Sequence, residues 1–180
     1  YREHLQKTYN PLALQIRRLE KPVIAAINGP AAGAGLGLAL ACDLRVADES
    51  ALFTVGFTGI GLVPDSAVSL LLPVMIGLGR ATEFTFTNQP ITTVQALEWG
   101  LVNQVVPEGE LAEVVGKLAA GLATGPTGAY GLSKRLFNKN VLPNLEEALE
   151  FEGELQEIAS KANEHIEGVK AFLEKRKPSF

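Results

Sequence analysis

The run "VIAAINGPAAGAGLGLALACD", residues 23–43, constrains the fold of this chain more than any other feature. It is apolar over most of its length, yet Asn28, Pro30 and four glycines interrupt it. No uninterrupted helix crosses those breaks, so the segment is not a membrane-spanning helix. It reads as a buried strand over Val23–Ile27, an Asn-Gly turn, and a helix in the alanine- and leucine-rich second half. Small residues at the turn let other backbone approach closely. The first N–H groups of such a helix have no partner inside it, and the helix dipole adds to their pull on negative charge. The turn can therefore hold an oxyanion, although the same pattern also serves plain packing. A dinucleotide fingerprint fails on spacing, because Leu38 stands where the third glycine after Gly33 and Gly35 is required.

The rest of the chain reads as α/β. Residues 1–19 carry Leu12, Ile16 and Leu19 at helical spacing, and "DLRVA" and "ALFTV" read as short strands. Helices follow in "AVSLLLPVMIG", ending near Gly77, and in "TTVQALEWG", before a strand in "LVNQVVP". Leu111, Val114, Val115, Leu118 and Leu122 then form one apolar stripe, and three more helical stretches close the chain. This order predicts an α/β core over 1–110 and a helical region over 111–180. With 47 % hydrophobic and 20 % charged residues among 180, the chain can bury one good core. Its net charge of −4 and lack of a basic block argue against a nucleic-acid partner or an anionic membrane surface. The single cysteine, Cys42, rules out a disulfide within the chain and fits a reducing, cytoplasmic compartment. The sequence opens on Tyr1, inside a helical pattern, and is expected to be a piece of a longer protein.

In "GIGLVPDSAVSLLLP", residues 59–73, Asp65 lies between a proline turn and an apolar helix. An aspartate there is a favoured N-cap, worth about 1 kcal/mol. It is also a candidate working carboxylate: Leu62, Val63, Val68 and Leu70 would raise its pKa by desolvation, while the helix N-terminus would lower it. The sequence leaves both readings open. Cys42 reads as a small buried residue, and Trp99 as packing. Phe53 and Phe57 suit either packing or an acyl pocket. His4 and His165 sit in polar helical stretches, read as surface positions, and make no metal site. The run Lys175, Arg176, Lys177 reads as a solvated helix end.

Taken together, "KPVIAAINGPAAGAGLGLALACDLRVA", "GIGLVPDSAVSLLLPVMIG", "ALEWGLVNQVVPEGEL" and "EGVKAFLEKRKPSF" resemble the enoyl-CoA hydratase/isomerase (crotonase) superfamily, in order and over essentially the whole chain. Within it they are most similar to the 1,2-epoxyphenylacetyl-CoA isomerase branch. The resemblance implies a crotonase-like ββα spiral core with a C-terminal helical trimerisation region, an acyl-CoA thioester as substrate, no cofactor beyond that coenzyme A, and a homotrimer or homohexamer. It implies that the N–H of Ala34 polarises the thioester carbonyl, with a second donor from a segment preceding this sequence. Substrate contacts are expected from Gly33, Phe53, Phe57 and Pro64, and from Lys175 through the CoA phosphates.

Typical hydratases of the superfamily use two glutamates; the matching positions here hold Gly37 and Phe57. Asp65 falls where several isomerases, and the 4-chlorobenzoyl-CoA dehalogenases, carry a single acid. The resemblance thus implies an isomerase in which Asp65 shuttles one proton. The alternatives are 2-enoyl-CoA hydration, nucleophilic attack by Asp65 on an aryl-CoA, and a non-catalytic CoA-thioester-binding homologue.

Overall fold

The computed structural model describes residues 1–180. Two short helices, α1 (Arg2–Lys7) and α2 (Tyr9–Arg18), precede strand β1 (Ile24–Ile27). The Gly-rich run then gives a two-residue strand, β2 (Ala31–Ala32), and helix α3 (Ala34–Ala41). The same ββα order repeats in β3 (Leu44–Asp48), β4 (Leu52–Thr54) and α4 (Val68–Ile76), with a single 3-10 turn over Thr58–Ile60 between β4 and α4. After α5 (Leu78–Thr87) come β5 (Ile91–Thr92), α6 (Thr93–Glu98) and β6 (Gln104–Val106). Helices α7 (Leu111–Ala123), α8 (Thr127–Val141), α9 (Leu145–Ala159) and α10 (Asn163–Leu173) complete the chain.

The repeat winds the chain into a spiral. First strands of successive turns stack into one parallel sheet, β1-β3-β6, with Ile24 opposite Leu44 and Val46 opposite Gln104. Second strands form the other sheet, β2-β4-β5, in which β4 runs parallel to β2 and antiparallel to β5. Helices α3 and α4 fill the space beside them, burying Leu36, Leu40, Val68, Leu71 and Leu72 in one core with Phe53 and Phe84. The stripe read on α7 faces inward: Leu111, Val114, Val115 and Leu118 pack against Ile24, Val46 and Val106 of the parallel sheet. No helix is long and apolar enough to cross a membrane.

Two expectations are corrected here. The helical pattern over 1–19 is broken at Thr8 (φ −123°, ψ −80°) into two helices. Of the apolar residues that suggested it, Leu12 and Leu19 are exposed, and the buried face of α2 is Asn10, Ala13 and Arg17. Polar groups can take that face because they are paired. Arg17 donates to Asp43, Asn138 and the Ala41 carbonyl, and Asn10 donates to the Leu149 carbonyl. Lys134 of α8 joins the same cluster through Asp43 Oδ2 at 2.7 Å, which ties α2 and α8 to the end of α3.

The chain's last helix folds back over the 3-10 turn. Gly168 of α10 lies so close to Ile60 that a Cβ would come within 2.6 Å of its backbone, and Gly61 meets the His165 N–H backbone equally closely. Both contacts are backbone against backbone, so a side chain cannot be absorbed by a rotamer change. Gly168→Ala is therefore expected to loosen α10 and destabilise the protein by about 1–3 kcal/mol. Urea unfolding and hydrogen exchange at the α10 amides would show it, and unchanged protection would contradict it.

Candidate active site

Gly33, Ala34, Phe57 and Asp65 come together in one cavity of about 390 Å3. Its other walls are Ala32, Gly56, Ile60, Leu62 and Gln156, together with Tyr1, His4, Leu5 and Tyr9 from the first two helices. Gly33 makes the turn from β2 into α3 with φ +54°, a left-handed conformation that glycine adopts without strain, and the ring of Phe57 lies beneath it. The Gly33 N–H is used by the Val55 carbonyl at 3.2 Å. The N–H of Ala34, first residue of α3, has no helical acceptor behind it and takes part in none of the turn and loop hydrogen bonds. It opens the helix whose positive dipole end reaches this wall.

Asp65 is 5 % exposed. It does not cap α4: the N-cap residue is Ala67, and the Asp65 side chain bonds elsewhere. Ser66 Oγ donates to Asp65 Oδ1 at 2.7 Å and Gln156 Nε2 donates to Oδ2 at 2.6 Å. The cap comes instead from Glu152 of α9, whose carboxylate accepts from the N–H groups of Ala67 (2.9 Å) and Ser69 (3.0 Å). Gln156 also accepts from Val63 N–H at 3.1 Å, so two residues one helical turn apart on α9 hold both flanks of the Asp65 turn. Within that turn Ser66 (φ 56°) and Ala67 (φ 71°) are both left-handed without being glycine, a strained pair that the surroundings must enforce.

Burial sets the direction of the Asp65 shift. Desolvation pushes its pKa up, and the bonds from Ser66 and Gln156, with the charge of His4, only partly offset this. Glu152 is raised further, from 4.5 to about 7, again by desolvation first, with its hydrogen bonds opposing and the Asp65 charge adding to the rise.

Position 37 has a steric reason to be glycine. A Cβ on Gly37 would run into the Ser66 carbonyl oxygen and lie 3.0 Å from Ser66 Cβ. Helix α3 and the Asp65 turn meet there, so no glutamate fits at that point without moving the turn.

Other expected site residues lie elsewhere. Phe53 is 1 % exposed inside the hydrophobic core and lines no part of the cavity, because β4 turns its side chain inward. Pro64 faces a separate depression between α4 and α5. Lys175 is exposed beyond α10, with φ 53°, and does not reach the cavity wall. His165, expected at the surface, is buried: its Nδ1 pairs with the Ile60 carbonyl (2.8 Å) and its Nε2 with Tyr1 Oη (3.0 Å). That burial follows from the close packing of α10 on the 3-10 turn. Cys42 is buried, its thiol donates to the Leu38 carbonyl, and desolvation pushes its pKa up, which is wrong for a nucleophile. It borders a larger apolar depression of about 460 Å3, whose charged residues Arg17, Asp43 and Lys134 are already bonded to one another.

Glu152 and Gln156 were not singled out from the sequence. The signal was present: helical spacing from Leu145 and Leu149 continues the buried face onto Glu152, Gly153 and Gln156. A glutamate and a glutamine on a buried stripe require partners.

The model for enoyl-CoA hydratase/isomerase matches residues 2–180. The chain belongs to that family. It is 41 % identical over 176 residues to the 1,2-epoxyphenylacetyl-CoA isomerase of Escherichia coli K12, covering 98 % of this chain and 67 % of that protein. It is 40 % identical over 158 residues to 4-chlorobenzoyl coenzyme A dehalogenase-1 of an Arthrobacter species, covering 88 % and 57 %. Among solved structures, an enoyl-CoA hydratase from Mycobacterium avium subsp. paratuberculosis K-10 superimposes with a TM-score of 0.92 at 38 % identity, over 96 % of this chain and 70 % of that one. The chain thus spans between 57 % and 70 % of the length of these relatives. The crotonase fold expected from the sequence is the fold observed, and proteins named as isomerase, hydratase and dehalogenase are similar to the chain in sequence.

The raised Glu152 carboxyl has a consequence for stability. The unfolded chain gives up that proton in the ordinary carboxylate range, while the folded protein retains it toward pH 7, so stability falls as pH rises through that window, and the upward shift of Asp65 acts in the same direction. For Glu152 the loss is on the order of 3 kcal/mol between about pH 4.5 and 7. Urea unfolding at pH 5 and pH 7.5 is expected to show the decline in wild type and a flatter dependence in Glu152→Gln. Equal slopes would refute the assignment.

Proposed function

We propose that the protein is an acyl-CoA isomerase that moves a double bond, or rearranges a ring epoxide, through a thioester enolate. The observation that carries this reading is that Asp65 is the one acidic side chain in the wall of the cavity it shares with the Ala34 N–H. Adding water to a double bond calls for one group to activate water and another to protonate carbon. A 1,3-proton shift needs a single group. In that reaction Asp65 takes a proton from carbon next to the thioester carbonyl, or from the vinylogous position, and electron density moves onto the carbonyl oxygen. The Ala34 N–H and the α3 dipole stabilise that oxygen, and Asp65 returns the proton at the other end of the allylic system. Its raised pKa suits both halves, since a carboxyl nearer neutrality is a better base and still an acid. Phe57, Leu62 and Ile60 give the acyl group an apolar wall.

The similarity to the E. coli isomerase supports a ring-epoxide or unsaturated acyl-CoA as substrate and a role in phenylacetate breakdown. Hydration of a 2-enoyl-CoA is the second reading, favoured by the likeness to the mycobacterial hydratase. No cofactor beyond the coenzyme A of the substrate is required. Exposed apolar residues on α8 (Leu132, Leu136, Phe137) and α10 (Phe172, Leu173) support assembly into a trimer or a dimer of trimers. The single buried cysteine supports a reducing, cytoplasmic setting.

The test is to supply the full-length protein and its Asp65→Asn variant with a 3-enoyl-CoA, a 2-enoyl-CoA and the epoxide of phenylacetyl-CoA, and to separate the products. Double-bond migration or ring rearrangement is expected, reduced about 10²- to 10⁴-fold in the variant. Formation of 3-hydroxyacyl-CoA, or isomerisation indifferent to the substitution, would refute the reading.

A further inference from the structure

Isomerisation as written above leaves unused the most buried ionisable side chain of the molecule. Glu152 is 3 % exposed and lies behind the cavity wall rather than in it. Its two oxygens accept from the N–H groups of Ala67 and Ser69, just after Asp65, while Gln156 accepts from Val63 N–H and donates to Asp65 Oδ2. Residues 63–69 are therefore held at both ends by a single helix face from the far end of the chain. The left-handed Ser66 and Ala67 lie between those anchors, where nothing local in the sequence would keep them.

We infer that Glu152, together with Gln156, is a positioning residue for the proposed isomerisation: its carboxylate clamps the strained turn that aims Asp65 into the cavity. This inference rests on the isomerase reading and deepens it. The clamp calls for two acceptor atoms. A carboxylate accepts through both oxygens, whereas the amide of glutamine would set an NH2 against one of the two N–H groups. Helix α9 packs against α1, α2 and α4. From the α4 side the facing ionisable group is Asp65 itself. From α1, Arg2 lies against Gly153, but its guanidinium is engaged by Glu150 and Glu154. From α2 the facing polar side chain is Asn10, which is neutral. No cation is bonded to Glu152, and the charge of Asp65 opposes its ionisation.

The decisive experiment compares wild type, Glu152→Gln, Glu152→Asp and Asp65→Asn in the full-length protein, measuring kcat and KM for isomerisation from pH 5 to 9 with melting temperatures alongside. For Glu152→Gln we expect kcat to fall about 10²-fold, as for a misplaced catalytic group. KM for the thioester should stay close to wild type. Wild-type kcat in the folded variant would overturn the inference. A kcat lowered only in step with a raised KM and a lowered melting temperature would mark a merely structural cap and overturn it as well. If Glu152→Gln does not fold, Glu152→Asp decides: it keeps the charge but withdraws it by one methylene. A tenfold or greater loss of kcat at unchanged KM then supports the clamp, and wild-type kcat refutes it. Isomerisation retained by Asp65→Asn would bring down the underlying reading and the clamp with it. An inactive Asp65→Asn beside a wild-type-like Glu152→Gln would bring down the clamp alone.

Discussion

Helix α4 begins in a place where the backbone has no help of its own. Ala67 is its N-cap, carries no side-chain acceptor, and is left-handed, as is Ser66 before it. Unpaired N–H groups in a buried helix end are costly, and the two left-handed residues add strain. The Glu152 carboxylate, 85 residues later than Ala67, meets that cost by accepting from Ala67 and Ser69. Ionising a carboxyl at that depth is itself unfavourable, which is why its pKa rises to about 7. The arrangement is not the most stable one the chain could have at this point. It persists as a compromise among helix end, strained turn and buried charge, with Asp65 at its centre.

The same turn is pressed from the other side. Helix α3 approaches so closely at Gly37 that the Ser66 carbonyl occupies the space a Cβ would need. One contact thus brings the α3 N-terminus, with the Ala34 N–H, to the same cavity as Asp65, and closes position 37 to a larger side chain. A donor for negative charge and a single carboxyl whose pKa burial raises, on one apolar wall, are what the proposed proton transfer between carbons rests on. Family membership leaves several chemistries open. The crowding at Gly37 and the place of Asp65 as the one acid of the cavity support the proposed isomerisation.

Much of the fold was legible because it is local. The Gly-rich run reads as strand, turn and helix from its breaks alone, and the α7 stripe states its own inward face. Where the reading went astray, long-range pairing had overridden hydrophobic pattern. On α2 the buried face is polar because Arg17 meets Asp43 and Asn138 from distant elements. His165 is buried because Gly168 and Gly61 let α10 settle on the 3-10 turn. Helix α5, to which the sequence reading assigned nothing, follows Gly77 and carries only Ala81 and Phe84 on its buried face, too sparse a stripe to announce itself.

For the site, the sequence by itself determined its chemical inventory: a turn able to present the Ala34 N–H, a lone acid at position 65, and glycine and phenylalanine where the superfamily's hydratases carry glutamates. Whether Asp65 capped a helix or faced a cavity was beyond it. An N-cap is recognised by residue type and position, and Asp65 satisfied both. Tertiary structure assigned the cap to Glu152 and tied Asp65 to Ser66 and Gln156. It also let burial outweigh the hydrogen bonds from Ser66 and Gln156 in setting the Asp65 proton affinity. The reason is physical: hydrogen-bond satisfaction and desolvation depend on which groups meet in space, and Gln156, which meets Asp65, and Glu152, which caps α4, come from a helix more than eighty residues along the chain.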